Sequence, residues 1–157
     1  MGSSPRAKIA WGIDFGDPNN TMEGFDWSET DYDRYDFEDK VMPVLFGFTE
    51  APPDLPPEWE TMRVDQRHAW RETHREPWEQ RRDTAIPLTF VTYGYEFGGS
   101  ALVLKRSLTS VEWEAAPVDP ASLAAPTDDE LAAFNTAIGP LGHDGGQPKL
   151  LLIAEYG

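Results

Sequence analysis

Apolar residues fall into five short runs rich in β-branched and aromatic side chains, a pattern typical of β-strands. The runs are residues 8–15, 41–48, 86–96, 100–106 and 149–156. Pro43 cannot donate a backbone hydrogen bond, so the second run is placed at a sheet edge or a bulge. Gly98 and Gly99 suit the turn of a hairpin between the third and fourth runs. The sequence therefore predicts about five strands.

Two segments carry the end signals of helices. The first begins at Pro57, because proline loses nothing at the first helical position. We expect it to run to about Glu76, since Pro77 must kink or end it. The second opens with a capping box over residues 127–130 and closes at Gly139 and Pro140. Helical periodicity and capping thus predict two helices.

These elements follow the order β, β, α, β, β, α, β. We expect an α+β fold, a single domain over residues 1–157, with a mostly antiparallel sheet of about five strands and two helices packed on one face. A chain of 157 residues is long enough to bury one core. Three irregular segments separate the elements. They are an acidic, aromatic-rich arm at 17–40, a proline-rich connector at 51–57 and an Ala/Pro connector at 115–126.

The charge is strongly negative and unevenly distributed. The chain has 28 acidic and 13 basic residues, which gives a formal net charge of −15. Residues 14–39 hold ten acids against Arg34 alone, whereas residues 60–82 hold six arginines and five acids. Duplex DNA and anionic membranes both require a basic face, so we expect no direct binding to either. Nor does any apolar run approach the roughly 20 residues of a membrane span.

Composition narrows the class of protein further. The chain has no cysteine, which excludes disulfide scaffolds, thiol nucleophiles and zinc-finger or iron–sulfur sites. The N-terminus lacks the layout of a signal peptide, so we expect a cytoplasmic protein. Abundant Ala, Pro, Arg and Trp are typical of a high-GC bacterium or its phages. No glycine-rich phosphate loop, GxSxG or HExxH motif is present, so we expect no cofactor and favour a protein that is not an enzyme.

The acidic arm is the leading candidate for a functional surface. Its carboxylates alternate with aromatic residues, which can imitate a nucleic-acid backbone and anchor a basic partner protein. The predicted partner-binding residues are Asp26, Trp27, Glu29, Asp31, Tyr32, Asp33, Tyr35, Asp36, Glu38 and Asp39. We interpret the chain as an acidic binding or inhibitor protein. Its partner would be basic, for example a nucleic-acid-binding host protein, by analogy with phage counter-defence proteins.

A ladder of arginines gives a first alternative. Arg63, Arg67, Arg71 and Arg75 recur every four residues, which places them along one flank of a helix. Because like charges at this spacing repel, something anionic should neutralise them. The acid could come from the same helix or from the acidic arm. It could also be an external nucleotide or other anion, which would make the chain an anion-binding protein.

A recurring acid–aromatic–glycine triplet gives a second alternative. Each copy ends a predicted strand, and the acids are Asp14, Glu96 and Glu155. If the strand ends were aligned, three carboxylates could hold Mg²⁺ or Mn²⁺ for a nuclease or hydrolase. The first copy, residues 12–16, resembles the opening strand of ribonuclease-H-like and actin-like proteins, which implies a metal-binding role for Asp14. The second and third strands of that family pattern do not follow in this sequence.

Overall fold

A computed structural model describes residues 5–16, 25–94, 99–143 and 146–156 of the chain. The expected α+β class is confirmed, with a five-stranded antiparallel sheet. The strands are β1 (Pro5–Gly16), β2 (Leu88–Thr92), β3 (Ser100–Leu104), β4 (Thr109–Glu112) and β5 (Lys149–Tyr156). The predicted Gly98 turn lies outside the described residues.

The long first strand is the centre of the sheet. One edge of β1 pairs with β3 and, further along, with β4. Its other edge pairs with β5 over residues 5–12. β2 then extends the sheet beyond β3. Because β3 and β4 lie on the same edge of β1, they act as one strand interrupted by the turn Lys105–Ser107.

The buried Ser107 bridges this interruption. Its hydroxyl donates a hydrogen bond of 2.8 Å to the carbonyl of Leu104. The same oxygen accepts a hydrogen bond of 2.9 Å from the backbone N–H of Trp11 in β1. A buried donor without a partner would destabilise the sheet, and the serine satisfies the N–H that the turn leaves unpaired.

The sheet curls until its outer strands meet. Just beyond β2, the N–H of Gly94 donates a hydrogen bond of 3.2 Å to the carbonyl of Ala154 in β5. Inside the curl a Cβ at Gly12 would lie 2.5 Å from the carbonyl oxygen of Leu102, so only glycine fits. The inner face is filled by small and branched residues, namely Ala10, Val91, Ala101, Val103 and Ile153. The curl lets this face be buried by the sheet itself.

Three helices are present in the described residues, not two as predicted. They are α1 (residues 34–45), α2 (residues 64–85) and α3 (Asp128–Ile138). The prediction of a strand at 41–48 was wrong, since residues 42–45 lie in α1. A short continuous apolar run fits a buried helix as well as a strand. The capping box of α3 is confirmed, with Thr127 and Glu130 each accepting from the other's backbone N–H.

A wide turn precedes a proline in both α1 and α2. The N–H of Met42 bonds to the carbonyl of Phe37, and the N–H of Glu76 bonds to that of Arg71, five residues back. Pro43 and Pro77 follow immediately. Proline lacks the N–H and clashes with the carbonyl four residues earlier, and a widened turn relieves both problems. The second helix therefore runs through Pro77 to Ala85, beyond the end predicted at 76.

The main core lies between the outer face of the sheet and the helices. α1 contributes Phe37 and Met42, and α3 contributes Phe134. α2 is further from the sheet and packs Trp78 against Phe48, with ring centroids 5.8 Å apart. The strand residues in this core are Ile13, Phe15, Leu88, Phe90, Leu102 and Leu104. This arrangement holds the residues preceding α1 firmly on the sheet.

Candidate functional site

The described part of the acidic arm, residues 25–40, is attached to the sheet by its aromatic side chains. Trp27 lies 5.6 Å from Phe90 between ring centroids, and Phe25 lies 5.3 Å from Phe15. Phe37 is fully buried. Edge-on and tilted ring pairs at these distances add to the stability given by burial. Trp27, predicted to bind a partner, is thus a partly buried anchor.

Most carboxylates of the arm point away from these aromatic rings and are exposed. Asp26 accepts a hydrogen bond of 2.8 Å from the N–H of Ser28, and hydrogen bonding to Ser28 lowers the pKa of Asp26. Asp33 caps α1 by accepting a 2.8 Å hydrogen bond from the N–H of Asp36. Such bonds fix the backbone and leave the negative charges in solvent.

Two predicted residues of the arm turn back onto the protein. Glu38 accepts a hydrogen bond of 2.9 Å from the hydroxyl of Thr89, so it ties α1 to β2. Tyr32 packs against Phe37 with ring centroids 5.6 Å apart. Both side chains are partly buried. Both are thus partly covered by the protein itself, and their role in binding a partner stays a prediction.

Four more predicted residues lie on the solvent side of the arm. Tyr35 is 69% exposed, and the guanidinium of Arg34 lies 4.3 Å from its ring centroid. Asp36 forms an ion pair of 2.8 Å with Lys40, which raises the pKa of Lys40. Glu29 and Asp31 are exposed, and their carboxylates make no hydrogen bond or ion pair within the described ranges.

Asp39 stands at the end of the row of acids. Its carboxylate lies 3.9 Å from the guanidinium of Arg82 in α2. This is the outer limit of an ion pair, and Asp39 is largely exposed. The arm therefore presents seven exposed residues out of the ten that were predicted, namely Asp26, Glu29, Asp31, Asp33, Tyr35, Asp36 and Asp39.

Three of the four ladder arginines contact groups near their own helix, and two of these contacts are ion pairs. Arg63 pairs with Asp65 at 3.1 Å, and Arg75 pairs with Glu79 at 2.8 Å. Arg67 donates two 3.0 Å hydrogen bonds to the carbonyls of the preceding turn, at positions 59 and 60. Between the ladder and residues 25–40 the structure shows no ion pair within 4 Å. The side chain of Arg71 is exposed and forms neither an ion pair nor a hydrogen bond within the described residues.

Two of the three predicted metal ligands, Asp14 and Glu155, lie far apart along β1. The register of β1 and β5 places Glu155 opposite Arg6, eight residues along β1 from Asp14. At about 3.3 Å per residue this is roughly 26 Å. Glu96 lies outside the described residues. Within the part of the chain that is described, no group of three potential metal ligands occurs.

Two cavities were not foreseen from the sequence. One, of about 420 Å³, lies between α1 and α2 and is lined by Val44, Phe48, Arg75 and Arg82 among others. The other, of about 340 Å³, opens where the curled sheet meets itself. Its polar wall combines Asp14 with Tyr93, which is 79 positions away in the sequence. No spacing rule connects residues so far apart.

None of the helices in the described ranges has the length and apolar character needed to cross a lipid bilayer. Searches against protein-family models, curated proteins and solved structures found no match to this chain.

Proposed function

We propose that this chain is a non-enzymatic binding protein whose acidic arm engages the basic surface of another protein. The observation that supports this function is the opposite orientation of the two residue types in the arm. Aromatic residues anchor it to the sheet, while carboxylates and Tyr35 face solvent. A flexible acidic tail would lose conformational entropy on binding, whereas an arm already packed on the core loses less.

The chemistry of the exposed residues suits a basic partner. Clustered carboxylates raise the rate of encounter with a positive surface and reject acidic ones. Tyr35 supplies a large aromatic surface among them, and tyrosine is enriched among residues that dominate interface energies. A nucleic-acid-binding protein would offer both the positive charge and a groove that could accept the arm. We propose, together with this function, that such an inhibitor comes from a bacterium or a phage.

Glu29 and Asp31 allow a sharp test, because no described contact depends on them. Affinity for an arginine-rich peptide would be measured by fluorescence anisotropy with the variant Glu29→Gln/Asp31→Asn. A matched control, Asp54→Asn/Glu58→Gln, removes the same charge from exposed positions outside the arm. We expect the arm variant to lose at least fivefold more affinity than the control. Equal losses in the two variants would show that only net charge matters and would contradict the proposal.

Tyr35→Ala tests the anchor separately. The side chain is 69% exposed, so its removal should leave the free energy of unfolding nearly unchanged. Affinity should still fall by about tenfold if this ring contacts the partner. An unchanged affinity would remove Tyr35 from the binding surface.

The arginine ladder gives less support to a nucleotide-binding function. Three of its four guanidinium groups already contact acids or carbonyls close to the same helix. Arg71 alone would be available to a phosphate among the ladder residues. We therefore place the proposed function in the acidic arm.

A further inference from the structure

The cavity at the closure of the sheet combines an apolar wall with one oriented carboxylate. It has a volume of about 340 Å³ and is lined by Ala101, Leu151, Ile153 and Ala154, with Asp14 and Tyr93 on its polar side. This volume lies within the range of small-molecule sites, about 300–1,000 Å³. From the sequence, Asp14 was predicted only as a metal ligand, and the strand register separates it from Glu155.

The carboxylate of Asp14 is held in one orientation. Its Oδ1 accepts a hydrogen bond of 2.6 Å from the hydroxyl of Tyr93 and one of 2.7 Å from the N–H of Gly16. Both bonds go to the same oxygen. Within the described residues, Oδ2 has no hydrogen bond and Asp14 has no ion pair. One acceptor oxygen is therefore left for a ligand.

The backbone fixes the tyrosine that holds this carboxylate. The N–H of Tyr93 donates a hydrogen bond of 3.0 Å to the carbonyl of Gly99. The phenol ring lies directly over Gly99, where a Cβ would overlap the ring and its hydroxyl. Only glycine at this position leaves room for the ring whose hydroxyl reaches Asp14. The polar side of the cavity is therefore an exposed carboxylate whose orientation is set by two hydrogen bonds from β1 and from the segment after β2.

The groups around the cavity define the chemistry of a ligand. A carboxylate with a free oxygen attracts a cation that donates hydrogen bonds, and it repels anions. The apolar wall favours an aliphatic chain. A single carboxylate among apolar residues supplies few of the six to eight oxygen ligands that Ca²⁺ takes, so an organic cation fits this cavity better. We propose that this cavity binds a small aliphatic primary amine, with its ammonium group on Asp14 and its chain along Leu151 and Ile153.

The probe for this site is n-hexylamine, which carries one ammonium group on a six-carbon chain. Its binding to the full chain would be followed at pH 7 by NMR chemical-shift changes and by calorimetry. Hexan-1-ol and hexanoate serve as neutral and anionic probes of the same length. We expect hexylamine to bind at least tenfold more tightly than hexanol and hexanoate to bind least. Equal affinity for the amine and the alcohol would overturn the proposal, as would the absence of saturable amine binding.

The length of the amine tests the apolar wall. From butylamine to hexylamine, each added methylene group should improve affinity by about fourfold, the factor that corresponds to full burial of one CH₂. Affinity that does not depend on chain length would show that the ammonium group binds to exposed acids and not in the cavity. That result would also overturn the proposal.

Two substitutions test the role of the carboxylate. Asp14→Asn should weaken hexylamine binding at least tenfold, while Asp54→Asn, outside the cavity, should leave it unchanged. If Asp14→Asn does not fold, Tyr93→Phe removes only the orienting hydroxyl and should weaken binding severalfold. Unchanged binding in a folded variant of Asp14 contradicts the proposal. The arm variant Glu29→Gln/Asp31→Asn should bind the amine normally, so the two proposals can fail independently.

Discussion

Arg106 and Glu130 form the best-defined ion pair in the described structure. Nε of Arg106 donates to one carboxylate oxygen at 2.6 Å and Nη2 donates to the other at 2.9 Å. The same guanidinium donates to the carbonyls of Ser122 and Ala124, each at 3.1 Å. This one residue therefore fastens the connector at 115–126 and the start of α3 to the end of β3.

The pair makes stability depend on pH. The hydrogen bond from Arg106 lowers the pKa of Glu130 from 4.5 to about 2. A carboxyl group with a lowered folded-state pKa stabilises the protein above its unfolded pKa, and this stabilisation is lost as pH falls from about 5 to about 2. Full linkage would correspond to roughly 3 kcal/mol. Solvent screening at Arg106, 36% exposed, leaves an expected contribution of about 1–2 kcal/mol.

Glu130→Gln should therefore cost about 1–2 kcal/mol at pH 7, while glutamine keeps the capping box intact. The difference in unfolding free energy between the wild type and this variant should disappear between pH 5 and pH 2. Urea denaturation at a series of pH values measures it. Asp129→Asn is the control variant, because Asp129 lies in the same helical turn as Glu130 and does not contact Arg106. A wild-type advantage that persists at pH 2 would contradict the assignment.

At the scale of elements, the wide turn in α2 predicts how this helix tolerates a deletion. A wide turn accommodates one residue more than an ordinary helical turn. Deleting the exposed Glu72 together with Pro77→Ala should convert the turn to ordinary α-helix and keep the two halves in register. We expect this variant to stay within about 1 kcal/mol of Pro77→Ala alone.

A deletion outside the wide turn provides the comparison. Removing Gln80 with Pro77→Ala leaves the wide turn in place and rotates the following residues by about 100° relative to Trp78. Disturbed core contacts of this kind cost about 2–5 kcal/mol. Thermal unfolding followed by circular dichroism compares the variants. If both deletion variants lost the same amount of stability, the wide turn would not tolerate a deletion better than the rest of the helix, and this prediction would be wrong.

Local signals in the sequence predicted one helix start correctly and one apolar run wrongly. The capping box at Thr127 and Glu130 depends on four consecutive residues, and α3 begins there as expected. The run at 41–48 was assigned wrongly, because its apolar residues fit both a strand and a buried helix. Pro43 misled further, since a wide turn places it inside a helix. Helix propensities disfavour proline inside a helix, and they do not predict the widened turn that accommodates it here.

The candidate sites depend more on long-range contacts. Composition identified the acidic arm, but only packing shows that Glu38 contacts Thr89 in β2. The link between Asp14 and Tyr93 spans 79 positions and arises only once β1 and β2 share a sheet. Aligned strand ends were assumed for Asp14 and Glu155, whereas the antiparallel register separates them. The sequence therefore identified individual carboxylates, but it did not predict which residues contact them in the folded protein.

On the scale of the whole molecule, the net charge of −15 predicts a salt-dependent stability. Like charges repel in the compact state, and added salt screens this repulsion. Raising NaCl from 10 mM to 0.5 M should stabilise the fold by about 1 kcal/mol, which corresponds to an increase in Tm of about 2–4 °C. Scanning calorimetry across this range measures it. A Tm that falls with salt would show that attractive ion pairs outweigh the repulsion.

The pairing of β1 with β5 has a consequence for synthesis. These strands pair from Pro5 opposite Tyr156 to Gly12 opposite Lys149, and β1 leaves the ribosome well before β5. Translation proceeds at about 5–20 residues per second, so the edge waits roughly 7–30 seconds for its partner. During that time an unpaired apolar strand is open to other chains or to a chaperone.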